Sequence, residues 1–350
     1  MMDPLEHLQM LKDSAAGIAP RKGDLKRIRA LRFTEPGFDR TTWREMCEMG
    51  WLGLRIPEDS GGSGLGAREL CGLAEELGAS LVPEPLIQAA MAAQLLPPDH
   101  LAPVLAGERI VLAAWQEKAN SLDVTGETTL RDGRLSGRKV FVPMAAGADA
   151  FLVTVPSGLA LVERDASGVS LDVQQTQDGG NYGMLTFDNV AAEAIAGDAS
   201  EALEHAIMAS SAYLFGLMDR AFAITLDYMK TREQFGRKIG GFQALQHRAV
   251  DMQIQISLTR AAVTTAAGAL DTAPTLAQRQ AAVSRAKVRA SDAAMMVTRA
   301  CIQLHGGIGY TDAADIGLFL RKAMVLAPLY GPPHVHRQRF RVVAPEVADE

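Results

Sequence analysis

A cluster of cationic, amide and aromatic side chains lies between two helical patterns in "YMKTREQFGRKIGGFQALQ". Arg232, Gln234 and Phe235 stand at the end of the first pattern, and Phe242 and Gln243 open the second. A guanidinium and amides beside the N–H groups of a new helix can hold an anion such as a pyrophosphate, while an aromatic side chain covers a ring. A capped helix turn with one stacked Phe is the alternative that these residues alone leave open.

A second polar cluster follows in "CIQLHGGIGYTDAADIGLFLRKA". Gln303 and His305 fall on the last turn of a helical pattern, and Gly306, Gly307 and Gly309 come next. Glycines let a ligand approach the backbone closely, so this stretch could also bind a cofactor. An ordinary glycine C-cap explains the same residues equally well.

Three patterns along the chain predict the elements that position these clusters. Residues 1–107 repeat Leu, Ile, Met and Trp at helical steps, with "SGGSGLG" as a tight turn that lacks the Lys and Ser or Thr of a phosphate loop. Residues 108–190 hold short β-rich runs separated by turn residues, which predicts an antiparallel β domain. Residues 191–350 form long helices, with a capping box at Thr275 and Gln278. The predicted fold class is a multidomain α+β protein.

Composition excludes several functions for this 350-residue chain. It is 48% hydrophobic and 22% charged, and its formal net charge of -6 argues against a nucleic-acid or anionic membrane surface. Cys47, Cys71 and Cys301 are far apart in helical patterns and are expected to be buried free thiols in a reducing cytosol. No apolar run suggests membrane insertion, and His334 and His336 have no nearby ligands, so no metal site is predicted. We expect a cytoplasmic protein.

In this order, the two clusters resemble the C-terminal signatures of the acyl-CoA dehydrogenase family. "GWLGLRIPEDSGGSGLG" is similar to that family's first-domain turn, and the α, β, α order matches its three domains. The resemblance implies an FAD that reaches across to a neighbouring subunit, and a Glu that removes the α-proton of an acyl thioester while the β-hydrogen leaves as hydride. It assigns ten residues to the cross-subunit FAD site, namely Arg232, Gln234, Phe235, Phe242, Gln243, Gln303, Leu304, His305, Gly306 and Gly307.

The two positions at which the family carries its catalytic Glu lack an acid here. Matching the Gly that follows the usual Glu to Gly331 places Tyr330 at the base position, and a phenol is protonated at neutral pH. Some members carry the base on the first long C-terminal helix, where Ala206 stands. Glu204 lies two residues away, about 200° round the helix, and is expected to face the opposite side.

The resemblance also breaks down on the side that serves a chain's own flavin. In "KVFVPM", Phe141 stands for the family's Trp, and Pro143 replaces a hydroxyl residue and has no N–H to offer. Pro332, Pro333 and His334 stand where the family presents a hydroxyl and an amide to the adenine. The residues offered to a neighbour's flavin are therefore kept, and those offered to the chain's own flavin are mostly altered.

Three functions remain open at this point. The chain is a non-catalytic partner in a heteromeric acyl-CoA dehydrogenase, of the kind associated with steroid side chains, with a second, similar subunit completing the tetramer. Alternatively it is a self-sufficient homotetramer whose base lies at an unforeseen position, for example Glu117 or Asp123, which with Ser121 are the possible remnants of the family's flavin loop. In both cases the substrate is an acyl-CoA and the acceptor an electron-transfer flavoprotein. The third function is non-enzymatic acyl-CoA binding or assembly.

Overall fold

The computed structural model describes residues 4–344, with side chains from residue 8, and contains two compact units. The helical unit contains the chain up to Leu25, Cys71–Val82, and the chain from Ile207 on. The sheet unit contains Lys26–Leu70 and Pro83–Ala206. Each unit is therefore assembled from separate stretches of sequence.

Helices dominate both ends of the chain, and strands the middle. The helices are α1 Pro4–Ile18, α2 Lys26–Leu31, α3 Arg40–Glu48, α4 Ala67–Ala79, α5 Leu86–Ala93, α6 Pro98–Leu105, α7 Ser200–Thr231, α8 Gln243–Thr272, α9 Leu276–His305, α10 Ile316–Leu326 and α11 Pro333–Val343. The strands are β1 Val111–Ala114, β2 Thr129–Arg131, β3 Arg134–Pro143, β4 Ala150–Val155, β5 Gly158–Glu163, β6 Val169–Gln175, β7 Asn181–Ala191, β8 Glu193–Ile195, β9 Glu233–Gln234 and β10 Arg237–Lys238.

The described part of the sheet unit holds two four-stranded sheets, with strand orders β1-β4-β5-β8 and β2-β3-β7-β6. Along β7, Asn181, Gly183, Leu185 and Phe187 are buried and the residues between them are more exposed, so one face of this strand packs on the core. Every residue of β4 is buried, as expected of a strand covered on both faces.

The predicted fold class is confirmed, with one exception in strand direction. The β1–β4 ladder is parallel, whereas the other ladders of both sheets are antiparallel. Between β1 and β4 the chain passes through β2 and β3 of the other sheet, and so returns in the original direction. The residue boundaries of the three domains stay a prediction.

The glycine-rich segment of the sheet unit is a tight turn, as the sequence predicted. It follows the 3-10 turn Glu58–Ser60, and Gly61 closes that turn with a φ of 86°. A side chain on Gly62 would place its Cβ 2.1 Å from the carbonyl oxygen of Ile56. The glycines therefore serve backbone packing at this turn.

Small residues bring the long helices of the helical unit close together. α9 packs against α8, α10 and α11, and it buries a run of alanines that includes Ala282, Ala286 and Ala290. The capping box predicted at its start is confirmed, because Thr275 and Gln278 bond each other's backbone N–H. Cys71 and Cys301 lie in this unit and Cys47 in the sheet unit, and all three are buried and form no disulfide, as expected.

α7 is long and apolar enough to cross a membrane by length and composition, but most of its apolar stretch is buried inside the protein, as in the core helix of a globular fold. Within the helical unit it approaches α4 at two glycines. A Cβ on Gly216 would lie 1.9 Å from the carbonyl oxygen of Glu75, and a Cβ on Gly78 would lie 2.1 Å from that of Tyr213. The two backbones are therefore in direct contact.

We predict that Gly216→Ala lowers the free energy of unfolding by at least about 2 kcal/mol, because the added methyl group meets backbone that no rotamer change can move. Urea unfolding at neutral pH measures the difference. Gly317→Ala in α10 is the matched control, since the nearest atom to its new Cβ is 3.9 Å away. The control should gain about 0.5 to 1 kcal/mol from helix propensity alone. Equal effects of the two substitutions would contradict the close contact of α7 and α4.

Candidate functional site

The first sequence cluster forms an exposed hairpin at the end of α7. β9 and β10 pair antiparallel, with Gln234 opposite Arg237, and Arg232 lies exposed just before them. Phe235 and Gly236 form the tip with φ angles of 56° and 76°. Gly tolerates this conformation, but Phe does not adopt it without strain. Because Phe235 is 90% exposed, packing within the chain covers little of its surface.

The hairpin leads into the start of α8, where Phe242 occupies the N-cap position without a side-chain cap bond. The Phe242 ring contacts Phe235 edge-on, with centroids 6.2 Å apart, and the Arg237 guanidinium lies 4.0 Å above it. Gln243 is exposed at the first position of the helix. Backbone N–H groups that no side chain caps, next to an exposed guanidinium, can bind a phosphate group.

The second cluster forms the end of α9. Gln303 is exposed, whereas Leu304 and His305 are buried. Gly306 has φ 65° and ψ -145°, which only glycine adopts readily, and open space surrounds the Cβ positions of Gly306 and Gly307. A ligand can therefore reach the backbone here, but the side chains of Leu304 and His305 pack inside the protein.

Tyr228 joins the two clusters, and sequence reasoning did not include it in the site. Its ring stacks on His305 with centroids 4.4 Å apart, and its hydroxyl donates to the His305 carbonyl oxygen at 3.4 Å. His305 Nδ1 donates to the Cys301 carbonyl oxygen at 2.9 Å, and burial lowers the pKa of the imidazole. The available signal was spacing, since Tyr228 precedes Arg232 by one helical turn.

The first base position holds a side chain that is buried within the helical unit. Tyr330 is 1% exposed, and with Gly331 it forms a turn in which both residues have positive φ angles. His336 Nε2 donates to the Tyr330 carbonyl oxygen at 2.8 Å. A buried phenol on a fixed backbone supplies no carboxylate for proton abstraction.

The second base position, Ala206, is also buried and carries no polar atom. Glu204 is 2% exposed, and neighbouring His205 is bound to Gln94 and Arg55 in the same unit. Because a guanidinium only donates, Nε2 of His205 accepts from Arg55 and Nδ1 donates to Gln94. This part of α7 is therefore tied into the packing of the sheet unit.

Glu117, one of the alternative bases, is fixed in an ion pair with the buried Lys139. Its Oε1 lies 2.8 Å from Lys139 Nζ, and its two oxygens accept from the backbone N–H groups of Glu127 and Thr128. Burial alone would raise the pKa of Glu117, but the bonds from Lys139, Thr128 and Glu127 lower it to about 2. Such a carboxylate is a very weak base.

The other alternative, Asp123, is held within its own loop. Its Oδ1 accepts from the N–H of Thr125 at 2.9 Å and from the Thr125 hydroxyl at 2.6 Å, and these bonds lower the pKa of the carboxyl group. Ser121 Oγ accepts from the N–H of Asp123. Between residues 8 and 344 no group of three His, Cys, Asp or Glu side chains is placed to hold a metal ion.

β3 carries Phe141 and Pro143, the two residues that depart from the pattern expected of the family's flavin-facing strand. β3 has an irregular register between Lys139 and Val142, and Phe141 lies there with a φ of 56°. The Phe141 ring contacts Tyr182 edge-on, and Pro143 pairs with the same residue across the ladder. Pro143 has no N–H to donate to a ring nitrogen.

FAD therefore fits one half of the expected site better than the other. The hairpin, the start of α8 and the end of α9 offer an exposed guanidinium, exposed amides, N–H groups without a side-chain cap and open glycine backbone. β3 offers a Pro and a Phe where a hydroxyl and an indole were expected. The chain keeps donors for a phosphate-bearing cofactor and lacks them near a flavin ring.

Comparison with known proteins identifies the family. Residues 6–96 match the N-terminal domain of acyl-CoA dehydrogenases and residues 197–341 the C-terminal domain. The chain is 30% identical to acyl-CoA dehydrogenase IpdE2 of Mycolicibacterium smegmatis, over 98% of this chain and 99% of that protein. It is thus a member of the acyl-CoA dehydrogenase family, whose enzymes are FAD-dependent oxidoreductases.

Solved structures extend this likeness to two-component proteins. A Tcur3481-Tcur3483 steroid ACAD variant is 33% identical, with a TM-score of 0.89 and 99% of both chains covered. A chain of the ChsE4-ChsE5 complex from Mycobacterium tuberculosis is 25% identical, with a TM-score of 0.86, and the match covers 100% of this chain and 100% of that one.

We predict that Glu117→Gln lowers the free energy of unfolding by about 3 kcal/mol at neutral pH, because Lys139 is left buried without its counter-charge. In the wild type this contribution is fully present above pH 4.5 and is lost as the pH falls towards 2, since the pKa of the folded carboxyl group is the lower one. Urea unfolding measures the loss.

Glu127→Gln is the control, because Glu127 pairs with Lys118 at the surface and should contribute less than about 1 kcal/mol. If Glu117 were instead the catalytic base, its substitution would abolish turnover and leave stability nearly unchanged. That result would contradict the structural role given to the ion pair.

Proposed function

We propose that this chain is the subunit without a catalytic base in a heteromeric acyl-CoA dehydrogenase, where it contributes half of an FAD site. The observation that carries the proposal is the buried Tyr330 at the position of the family's Glu, together with Ala206 at the other base position. A second subunit of the same fold then provides the carboxylate.

The reaction requires a base for the α-proton, and this chain offers none in the expected places. When bound, FAD supplies the hydride acceptor. Glu117 and Asp123 are engaged by local hydrogen bonds that lower the pKa of both carboxyl groups, which disfavours a self-sufficient enzyme. A general base needs the opposite shift, towards the operating pH.

What the chain contributes is binding. Arg232 and the start of α8 would hold the diphosphate, Gln234 and Gln243 would offer amides, and Phe235 would cover a ring. Gln303 and the open backbone at Gly306 and Gly307 would add contacts at the end of α9. Phe235 touches Phe242 only edge-on and is 90% exposed, so most of its surface is open to a ligand, which argues against a purely structural subunit.

The surface of α8 supports assembly with a second subunit. Val250, Ile254 and Leu258 recur at four-residue steps and are 56%, 48% and 51% exposed. They form an apolar stripe on the helix that begins at the proposed FAD site. A partner docked on this stripe would cover apolar surface that the isolated chain leaves exposed.

The relatives support one substrate class. Both similar solved structures carry paired subunit names, and one of them is described as a steroid ACAD. We infer that the substrate is a steroid-derived acyl-CoA, that an electron-transferring flavoprotein accepts the electrons, and that the complex works in the cytoplasm.

The deciding experiment compares the chain alone with the chain co-expressed with its candidate partner subunit. Native mass, bound FAD and dehydrogenation of a steroid side-chain CoA thioester are measured for both. We expect FAD and turnover only in the complex. Full FAD and turnover in the chain alone would establish the self-sufficient enzyme, and a complex without FAD would establish a purely structural subunit.

We predict that Arg232→Ala reduces FAD affinity of the complex by about ten- to a hundredfold, which corresponds to roughly 1.5 to 3 kcal/mol for a charge-assisted contact with a diphosphate. The side chain is exposed, so the free energy of unfolding of the isolated chain should change by less than about 0.5 kcal/mol. Flavin titration at limiting FAD and urea unfolding measure the two effects.

Lys238→Ala is the matched control, because it removes an exposed cation from the same hairpin at a position outside the proposed site. It should leave FAD affinity within about twofold of wild type, a difference of less than about 0.5 kcal/mol. Equal FAD occupancy in the Arg232→Ala complex would show that the donated half-site is not used.

A further inference from the structure

Polar side chains are buried beneath the turn that connects α10 and α11. Ser284, Lys287 and Ser291 come from α9 and His336 from α11, and each is at most 1% exposed. A lysine without exposed surface is rare, and a buried ammonium ordinarily has a carboxylate partner. The proposed FAD site does not use these side chains.

The cluster holds backbone carbonyl groups of the turn. Lys287 Nζ donates to the Leu326 carbonyl oxygen at 3.0 Å, and Ser291 Oγ donates to that of Ala327 at 3.1 Å. The last carbonyl groups of a helix have no partner within the helix, so these two bonds cap α10. His336 Nε2 then holds the Tyr330 carbonyl oxygen at the far end of the turn, at 2.8 Å.

His336 is itself oriented by a chain of donors. Because Nε2 donates to a carbonyl group, the neutral ring accepts at Nδ1, where Ser284 Oγ lies 3.4 Å away. Ser284 in turn accepts from Arg339 Nε at 2.7 Å. Burial, followed by the charge of Arg339, lowers the pKa of His336 to about 3, so the imidazole is neutral at all physiological pH values.

We propose that Lys287, Ser291 and His336 position the Leu326–Gly331 turn, and that the turn is held closed by Lys287 as a neutral amine and opens when this amine takes up a proton. The positioning stands on the contacts alone. Any effect of turn opening on substrate or flavin binding rests on the proposed function, in which Tyr330 of this turn stands at the position of the family's base.

The surroundings of Lys287 disfavour its charged form. A neutral amine can donate to Leu326 and keep its lone pair, whereas an ammonium has three N–H groups and, among the described residues, one acceptor. Burial lowers the pKa of Lys287 to about 7. The charged residues of α8 and α10, such as Asp251, Arg321 and Lys322, do not contribute to this lowering of the Lys287 pKa. The titratable groups of α11 at this cluster are His336 and Arg339, neither of which is an anion at neutral pH.

The sign of the pH effect follows from linkage. In the open turn the amine has an ordinary pKa of 10.5, and in the closed turn about 7. Between these values the open form binds one more proton, so closure weakens as the pH falls from 10.5 to 7 and then levels off. The turn should therefore be most firmly closed at alkaline pH.

Hydrogen exchange of the full-length chain without flavin tests this directly. Protection factors of the amides in 326–336, each corrected for its intrinsic rate, should fall about fiftyfold between pH 9 and pH 7 and change little below pH 7. In Lys287→Met, which replaces the amine by an apolar group of similar length, the segment should show no pH dependence. Lys230→Met, at an exposed position on α7, should behave like the wild type.

Ser291→Ala provides a test that does not depend on the folding of the lysine variant. It removes one contact and no titrating group, so it should lower protection of the turn by the same factor at both pH values. Protection factors in the wild type that do not change between pH 9 and pH 7 would overturn the proposal, as would an unchanged pH dependence in Lys287→Met. Because this experiment contains no flavin, neither result decides the proposed function, which the co-expression experiment tests separately.

Discussion

The ion pair of Lys139 and Glu117 is the interaction on which the sheet unit and the functional assignment both depend. Lys139 belongs to β3 in one sheet, and its ammonium also donates to Thr154 of β4 and to the Trp115 carbonyl oxygen beyond β1, which belong to the other sheet. A completely buried ammonium requires such partners. The carboxylate that satisfies it is thereby withdrawn from proton chemistry, since its pKa falls to about 2. One interaction therefore joins the sheets and removes a candidate base.

The helical unit exposes apolar side chains on its surface. α9 is buried along much of its length by α8, α10 and α11, whereas α8 leaves Val250, Ile254 and Leu258 largely exposed. The hairpin that precedes α8 exposes Phe235 on a strained backbone. Apolar area and strain are costs that a lone chain does not recover, and contact with a second subunit and a cofactor would offset both. Both features support the proposed assembly with a second subunit.

Local pattern was enough to predict the order of elements, but not the contacts made across long stretches of chain. Helical and strand periodicity, and the capping box at Thr275, follow from neighbouring residues and were confirmed. The parallel direction of β1 and β4 was not predicted, because it depends on a crossover through the other sheet. Lys139 and Glu117 are 22 residues apart, and Tyr228 and His305 are 77 residues apart, and no periodicity links such pairs. The exposed residues predicted for the site are close in sequence, whereas the contacts of Lys139 and Tyr228 join distant parts of the chain.

The turn at Tyr330 is held by buried polar side chains that bind its backbone, so the position suits an uncharged side chain. An ionised Glu at a position that is 1% exposed would be costly without a cation, and the nearby polar groups are arranged as donors to backbone carbonyl groups. Lys287 caps α10, and His336 fixes the backbone of Tyr330 itself, so the cluster is committed to holding the turn. The Tyr330 ring inside this turn contributes apolar packing, and its phenol group does not act as a base. Tyr330 is thus part of the core of this chain, whereas Arg232 after α7 and Gln303 at the end of α9 are exposed.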